Sequence, residues 1–272
     1  MASLPRAAAS VDARAGREVS TLTIDSAVTH NPAPADDHFL PGPVLLLGAP
    51  GVGKGTQAQL LAAKFGIPQI STGDILRENI AKGSDLGKAA KSLMDEGQLV
   101  PDRLVNDMVA MRLSQPDVAA GYILDGFPRT LIQAQWLDAQ PEMFRNIPPL
   151  VAVNIRVDEA ELLRRITGRR ICPICKRIYN VYSNPPSKDS VCDVEGAQLQ
   201  QRPDDTEEAF AQRMKAYDSL TAPVIEHYRS KGRFREIDGV RPVDQVADSI
   251  LVALKELRRQ FPGGTFSSQA DR

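Results

Sequence analysis

The chain turns on Gly48-Ala49-Pro50-Gly51-Val52-Gly53-Lys54-Gly55-Thr56, read together with the residues on either side. Val44-Leu45-Leu46-Leu47 runs into it as four apolar residues, the length and content of a buried strand. Gln57 to Lys64 follows as a predicted helix, with Leu60 and Leu61 on its buried side and Gly66 and Pro68 marking its stop. The glycines therefore fall where a strand becomes a helix. Backbone N–H groups at such a turn converge on phosphate oxygens. The helix N-terminus adds partial positive charge, and Lys54 has the reach for the outer phosphates of a nucleoside triphosphate. This is a P-loop in its proper context; a glycine turn with a surface lysine explains less of the stretch.

Composition limits what the loop belongs to. The chain has 272 residues, 42% hydrophobic and 25% charged, enough for one large core with inserted smaller units. A formal net charge of −1 gives no global attraction to nucleic acid or to acidic membrane, so anion binding must come from local arginines and lysines. No apolar run reaches the length of a membrane span. Three cysteines, all between Cys172 and Cys192, do not form a secreted disulfide framework. Residues 1–42 are rich in Ala, Pro, Asp and Ser without sustained periodicity and read as a disordered extension. Its acidic residues (Asp12, Glu18, Asp25, Asp36 and Asp37) argue against a transit peptide despite Arg6, Arg14 and Arg17, which points to the cytoplasm. Residues 261–272 read as a second polar tail.

Between the tails, strands alternate with helices. Ile67 to Ile70 leads into Ser71-Thr72-Gly73-Asp74 and a helix through Ile80. Leu86–Met94 and Asp102–Leu113 read as two more helices. Tyr122–Asp125 and Leu150–Val157 are further buried strands, the second followed by an Asp158/Glu161 cap on a helix to Arg165. Glu207–Lys231 reads as one helix, Arg235–Asp238 as a short strand and Val243–Arg259 as a last amphipathic helix. The expected fold is α/β: a parallel sheet of the P-loop nucleoside triphosphate hydrolase kind, with helices on both faces.

Ligands of open α/β sheets bind at the carboxyl ends of the strands. Asp125 closes a buried strand and is expected beside the P-loop, where it would hold waters of a bound Mg²⁺. Phosphoryl transfer needs in-line positioning and positive charge over the equatorial oxygens. Arg77, Arg129, Arg165, Arg169, Arg202 and Arg213 all stand next to turns or strand ends and are candidates for a phosphate clamp.

Four motifs in order then identify a resemblance: Gly48–Thr56, Ser71-Thr72-Gly73-Asp74-Ile75-Leu76-Arg77, Leu124-Asp125-Gly126-Phe127-Pro128-Arg129-Thr130 and Gln201-Arg202-Pro203-Asp204-Asp205. Together they resemble the adenylate kinases of the long, bacterial type, over about Val44 to Leu257. The resemblance implies a core at 43–260 with two inserts: a helical AMP-binding flap at 71–100 and a small β-rich lid at 168–205. It implies reversible transfer of the terminal phosphoryl group of MgATP to AMP, giving two ADP, by a protein that is usually monomeric. Lys54, Arg129, Arg169, Arg202 and Arg213 would be catalytic. ATP would be held by Gly51, Val52, Gly53, Lys54, Gly55, Thr56, Arg165 and Arg169, with Ile178 and Tyr179 packing near it and Arg241 near its base. AMP would be held by Thr72, Arg77, Gln98, Leu99, Val100, Gly126, Phe127, Pro128, Arg129, Arg202 and Arg213, and Gln133 would read its adenine edge. Gly55 stands where the general P-loop has a Mg²⁺-binding hydroxyl, and the Gly-Lys-Gly-Thr order is that of nucleoside monophosphate kinases rather than switch GTPases.

The lid carries its own signal. Cys172 and Cys175 have metal-ligand spacing, and Cys192 with Glu195 repeats it with a carboxylate in fourth place. No histidine lies in the insert. Lids of the family carry four cysteines or three plus an aspartate, so the resemblance implies a structural Zn²⁺ and Glu195 departs from both patterns by one methylene or more. Three thiolates and a carboxylate leave no open position for catalysis. Gly168 stands where a lid hinge belongs, with a plain turn glycine the equal alternative. Three rival readings remain: a kinase for UMP, CMP or GMP; a zinc ribbon on nucleic acid, disfavoured by four aspartates and Glu195 in the window; and a nucleotide-gated switch without transfer.

Overall fold

The computed structural model describes residues 39, 41–140 and 148–260; the expected tail at 261–272, and all of 1–42 but residues 39, 41 and 42, lie outside the described residues. The sheet has strands β1 (Gly42–Leu47), β2 (Gln69–Ser71), β3 (Gly121–Asp125), β4 (Val151–Arg156) and β7 (Phe234–Asp238), in the order β2-β3-β1-β4-β7. Every neighbouring pair is parallel. The expected α/β class holds. The Gln69–Ser71 edge strand reads in the sequence only as a lead-in to a helix, because three residues with polar ones at both ends give no period.

Alternation along the strands sorts the core into two layers. Leu45, Leu47, Tyr122, Leu124 and Ala152 face one side, packed with Val105 and Val109 of α4 (Asp102–Leu113), Ala134 and Leu137 of α5 (Leu131–Asp138), and Val224 and Tyr228 of α8 (Ala222–Ser230). Val44, Leu46, Ile123, Val151, Val153 and Ile155 face the other, against Ala58 and Leu61 of α1 (Lys54–Phe65), Leu162 and Ile166 of α6 (Glu159–Thr167), and Ile250, Leu254 and Leu257 of α9 (Val243–Gln260). Strands buried on both faces read as unbroken apolar runs. Truncating one such leucine to alanine costs about 2–5 kcal/mol. Leu60, expected inside, is 43% exposed: neighbours on a helix lie about 100° apart, and Leu61 takes the core side.

Two inserts rise from the carboxyl edge of the sheet. One holds α2 (Thr72–Ala81) and α3 (Asp85–Asp95), capped by Ser71 and Ser84. The other pairs β5 (Arg169–Ile171) with antiparallel β6 (Ile178–Asn180), around a core of only Cys172, Tyr179, Cys192 and Leu199. The small β-rich lid is as expected.

Two local expectations are corrected. Asp158 takes the N-cap place of α6 without a side-chain cap bond, because Glu161 turns to Arg165 instead, at 2.9 Å. Glu207–Lys231 is two helices, α7 (Glu207–Ala216) and α8, joined by a π turn at Tyr217–Thr221. Pro223 has no N–H, and its ring excludes an unbroken α-helix across this point. The break lets Thr221 Oγ1 donate to the Arg129 carbonyl at 2.8 Å. Gly168 has an ordinary right-handed backbone, and what excludes a side chain there is the Tyr182 ring, 2.5 Å from where a Cβ would stand.

Candidate active site

All nucleotide-directed residues meet in one cleft. A cavity of about 1140 Å³ at the carboxyl edge of the sheet is lined by Gly51–Thr56, Thr72, Arg77, Gln98–Val100, Asp125–Arg129, Gln133, Arg165, Arg169, Ile178, Tyr179, Arg202, Arg213 and Arg241. The loop at its floor needs its glycines. Gly48, Gly51 and Gly53 have φ of 137°, 85° and 103°, and a Cβ on Gly51 would stand 2.8 Å from the Leu162 carbonyl. Lys54 is folded over this loop, its Nζ donating to the carbonyls of Gly48 and Ala49 at 2.8 and 3.0 Å. Removal from water pushes Lys54 down to about 8; Asp125 opposes the shift, and Arg129 and Arg169 add to it. Asp125 accepts from Gln69 Nε2 at 3.1 Å, and its Oδ2 lies 3.4 Å from where a Cβ on Gly55 would be. A carboxylate so close to the P-loop helix start suits the waters of a nucleotide-bound Mg²⁺.

The arginines arrive with counter-charges that the sequence did not assign. Arg169 makes a two-pronged pair with Asp205, Nε to Oδ2 at 2.8 Å and Nη2 to Oδ1. Arg213 pairs with Asp204. Arg202 reaches Asp74 at 3.1 Å and Arg77 reaches Asp74 at 2.6 Å, so this carboxylate joins flap to lid. Burial alone would raise Asp74 and Asp204, but the facing guanidinium groups hold both below the usual carboxylate range. Burial, with other arginines nearby, brings Arg129 and Arg202 down to about 10. A cleft holding this many cations that cannot shed their charge at neutral pH is built for polyanions.

On the Thr72 side of the cleft, side chains are anchored by hydrogen bonds rather than by ion pairs. Thr72 Oγ1 donates to the Gly126 carbonyl at 2.8 Å, and Arg129 Nε donates to the same carbonyl at 2.8 Å. Gln133 is buried behind the cleft wall. Its side chain accepts from the Arg129 N–H at 2.7 Å and donates to Asp102 at 2.8 Å. Arg165 packs along the P-loop, Nη1 to the Val52 carbonyl at 3.4 Å, and Arg241 stands exposed at the rim near Asp238. Ile178 points its Cδ1 toward Gly55. Tyr179, the next residue of β6, turns the opposite way; its ring lies in the lid core and its hydroxyl accepts from the Asp193 N–H at 2.9 Å. Alternation along a strand forces that division, so only the backbone of Tyr179 faces the cleft.

In the lid, the sulfurs of Cys172, Cys175 and Cys192 lie within 4.8 Å of one another, and Cys175 and Cys192 are 3.7 Å apart. A zinc–thiolate tetrahedron with bonds of about 2.3 Å has sulfur–sulfur edges of about 3.8 Å, so the trio fits. The two turns match: Lys176 N donates to the Cys172 carbonyl and Gly196 N to the Cys192 carbonyl, with both donors at positive φ. Glu195 thus occupies in its turn the place of Cys175, yet its carboxylate is not among the clustered ligand atoms. Burial raises a thiol, but amide hydrogens of Glu195 and Val194 and the Tyr179 hydroxyl bring Cys192 down to about 6.

A parallel sheet whose first strand ends in a phosphate cradle, with a flap and a lid bordering one cationic cleft, defines a P-loop phosphotransferase with room for two nucleotides. A family profile described as Adenylate kinase matches residues 46–233. An adenylate kinase of Archaeoglobus fulgidus is 46% identical over 217 residues, covering 79% of this chain and 99% of its own. One from Thermodesulfovibrio yellowstonii is 47% identical over 214 residues (78% and 99%), and one from Nitrosococcus oceani 47% over 217 (79% and 99%). The chain belongs to the adenylate kinase family, enzymes that transfer a phosphoryl group reversibly between ATP and AMP, giving two ADP. Among the described residues, no helix is long and apolar enough to cross a membrane.

Proposed function

We propose that the residues of this cleft divide the transfer between them as follows. The backbone of Gly51–Thr56 cradles the phosphates of ATP, and Lys54 leaves the Gly48 and Ala49 carbonyls to sit on the transferring group. Arg165 and Arg169 hold the ATP side, with Ile178 and the backbone of Arg241 near it. Thr72, Arg77, Gln98–Val100 and Gly126–Arg129 hold AMP, whose adenine Gln133 reads. Arg129, Arg169, Arg202 and Arg213 surround the charge that develops on the moving phosphoryl group, releasing Asp74, Asp204 and Asp205 as they engage. Asp125 would hold the waters of a nucleotide-bound Mg²⁺, which would supply charge that offsets the phosphates. Exclusion of water by flap and lid favours transfer to AMP over hydrolysis. The convergence of Lys54, Arg129, Arg169, Arg202 and Arg213, from separate places in the chain, on one cleft carries this reading.

The lid we assign to structural zinc, on Cys172, Cys175, Cys192 and Glu195. Three thiols at tetrahedral spacing and matching turns support it, and Glu195 would supply the fourth ligand. The protein acts as a monomer in the cytoplasm on ATP, AMP and ADP, with neither nucleic acid nor membrane as partner, in keeping with a net charge of −1. Steady-state ADP formation with AMP, GMP, UMP and CMP, and zinc quantified on the same sample, tests both parts. AMP as the best acceptor and one zinc per chain are expected; UMP or CMP ahead of AMP, or no zinc, would overturn the respective part.

A further inference from the structure

Asp102 does not line the cleft, yet it sits at the end of a hydrogen-bond chain that reaches into it. Its Oδ1 accepts from Gln133 Nε2 at 2.8 Å and its Oδ2 from Thr130 Oγ1 at 3.0 Å. Thr130 Oγ1 in turn accepts from the Gln133 N–H at 3.1 Å, and Gln133 Oε1 accepts from the Arg129 N–H at 2.7 Å. Two members of this chain have no choice of role: the backbone N–H of Arg129 only donates and the carboxylate of Asp102 only accepts. Gln133 must therefore turn its oxygen toward Arg129 and its nitrogen toward Asp102. One N–H and one carbonyl lone pair of the amide remain for a ligand.

We propose that Asp102 is a positioning residue that sets acceptor specificity by locking the Gln133 amide in the orientation complementary to a 6-aminopurine. Adenine offers a ring acceptor beside an amino donor, the complement of the free N–H and C=O. A 6-oxopurine offers the reverse, a ring N–H beside a carbonyl, and fits only a flipped amide. A flip would set the amide NH₂ against the Arg129 N–H and the amide oxygen against the Asp102 carboxylate. Both are same-sign contacts on a buried amide, which is costly to leave unpaired. Asp102 supplies the charged and stronger of the two constraints. The inference rests on Gln133 being the reader of the acceptor base.

The test measures kcat/KM for AMP and for inosine monophosphate, with MgATP, on the full chain. Asp102→Ala is expected to reduce the AMP preference at least tenfold, through KM for the acceptor, with KM for ATP unchanged. Asp102→Asn, which can still offer Gln133 an oxygen, is expected to keep the preference within about threefold. Asp102→Ser, polar but too short to reach Gln133, replaces D102A if that variant does not fold, with the same loss expected. Equal losses for both acceptors and for ATP would mean a purely structural role and overturn the proposal. A preference destroyed in Gln133→Leu but intact in D102A would overturn it while leaving Gln133 as the reader. A preference unchanged in Q133L would remove the underlying reading as well.

Discussion

Raising the pH should disarm the P-loop lysine long before an ordinary lysine would respond. Lys54 is lowered to about 8 by its removal from water, against about 10.4 for a free side chain. With a pKa near 8, about 90% of Lys54 is charged at pH 7 and about 10% at pH 9. If the charged form alone engages MgATP, kcat/KM for ATP falls close to tenfold over that interval. A lysine at 10.4 would lose only about 4%. The neighbouring Arg129 and Arg202, near 10, are still about 90% charged at pH 9. The sign is fixed by the direction of the shift: the competent cation exists below the folded pKa and is lost above it. For the same reason the free fold gains stability as pH rises from about 8 toward 10.4, because the unfolded chain then binds the extra proton. The assay is initial rate of ADP formation at limiting ATP and limiting AMP from pH 6.5 to 9.5, where the rate reports the free enzyme. Lys54→Arg should flatten the alkaline limb while lowering the plateau. A wild-type profile flat to pH 9.5, or a limb near pH 8 that survives in K54R, would refute the reasoning.

Other outcomes follow from particular contacts. Arg258, buried on α9, donates to the carbonyls of Pro41 at 2.7 Å, Pro43 at 2.9 Å and Pro149, tying the starts of β1 and β4 together. Arg258→Met should cost about 3 kcal/mol from three lost hydrogen bonds of a charged donor, lowering Tm by about 6–12 °C, with kcat at 25 °C unchanged. Gly51→Ala forces a Cβ onto the Leu162 carbonyl at positive φ, and kcat/KM for ATP should drop on the order of tenfold with little change in KM for AMP. Stripping zinc with a chelator should lower Tm and open residues 168–205 to protease; Glu195→Gln should weaken metal retention and Glu195→Cys strengthen it, read by competition with a chromogenic chelator.

The sheet and the phosphate cradle were legible because their signals are local. Val44–Leu47 is apolar at every position, the glycines follow at once, and Asp125 closes a second apolar run. The four short motifs hold Gly51–Thr56, Thr72, Arg77, Gly126–Arg129 and Arg202, the family resemblance adds the other expected nucleotide residues, and all of them line the cleft. What stayed hidden depends on distance in the chain. The pairs Asp205–Arg169 and Asp102–Gln133 span 36 and 31 residues, so neither periodicity nor spacing joins them. The Gln201–Asp205 motif contained two of the counter-charges in plain view, with nothing in its order to say which arginines they meet. Tyr179 shows a different limit: the choice between cleft and lid core is a matter of strand phase, set by pairing with β5. The π turn is a third, since Glu207–Lys231 reads as one helix and nothing local reveals that Thr221 would be brought under Arg129.

The central claim is that this cleft moves a phosphoryl group from ATP to AMP with Lys54 on the transferring phosphate. The most direct measurement is ADP formed from ATP plus AMP by the full chain and by Lys54→Met. The account expects ADP formation that requires both nucleotides and falls at least about a hundredfold in K54M, the scale of losing one preorganised charged donor. ADP formed at the same rate without AMP, or at an undiminished rate in K54M, would contradict it.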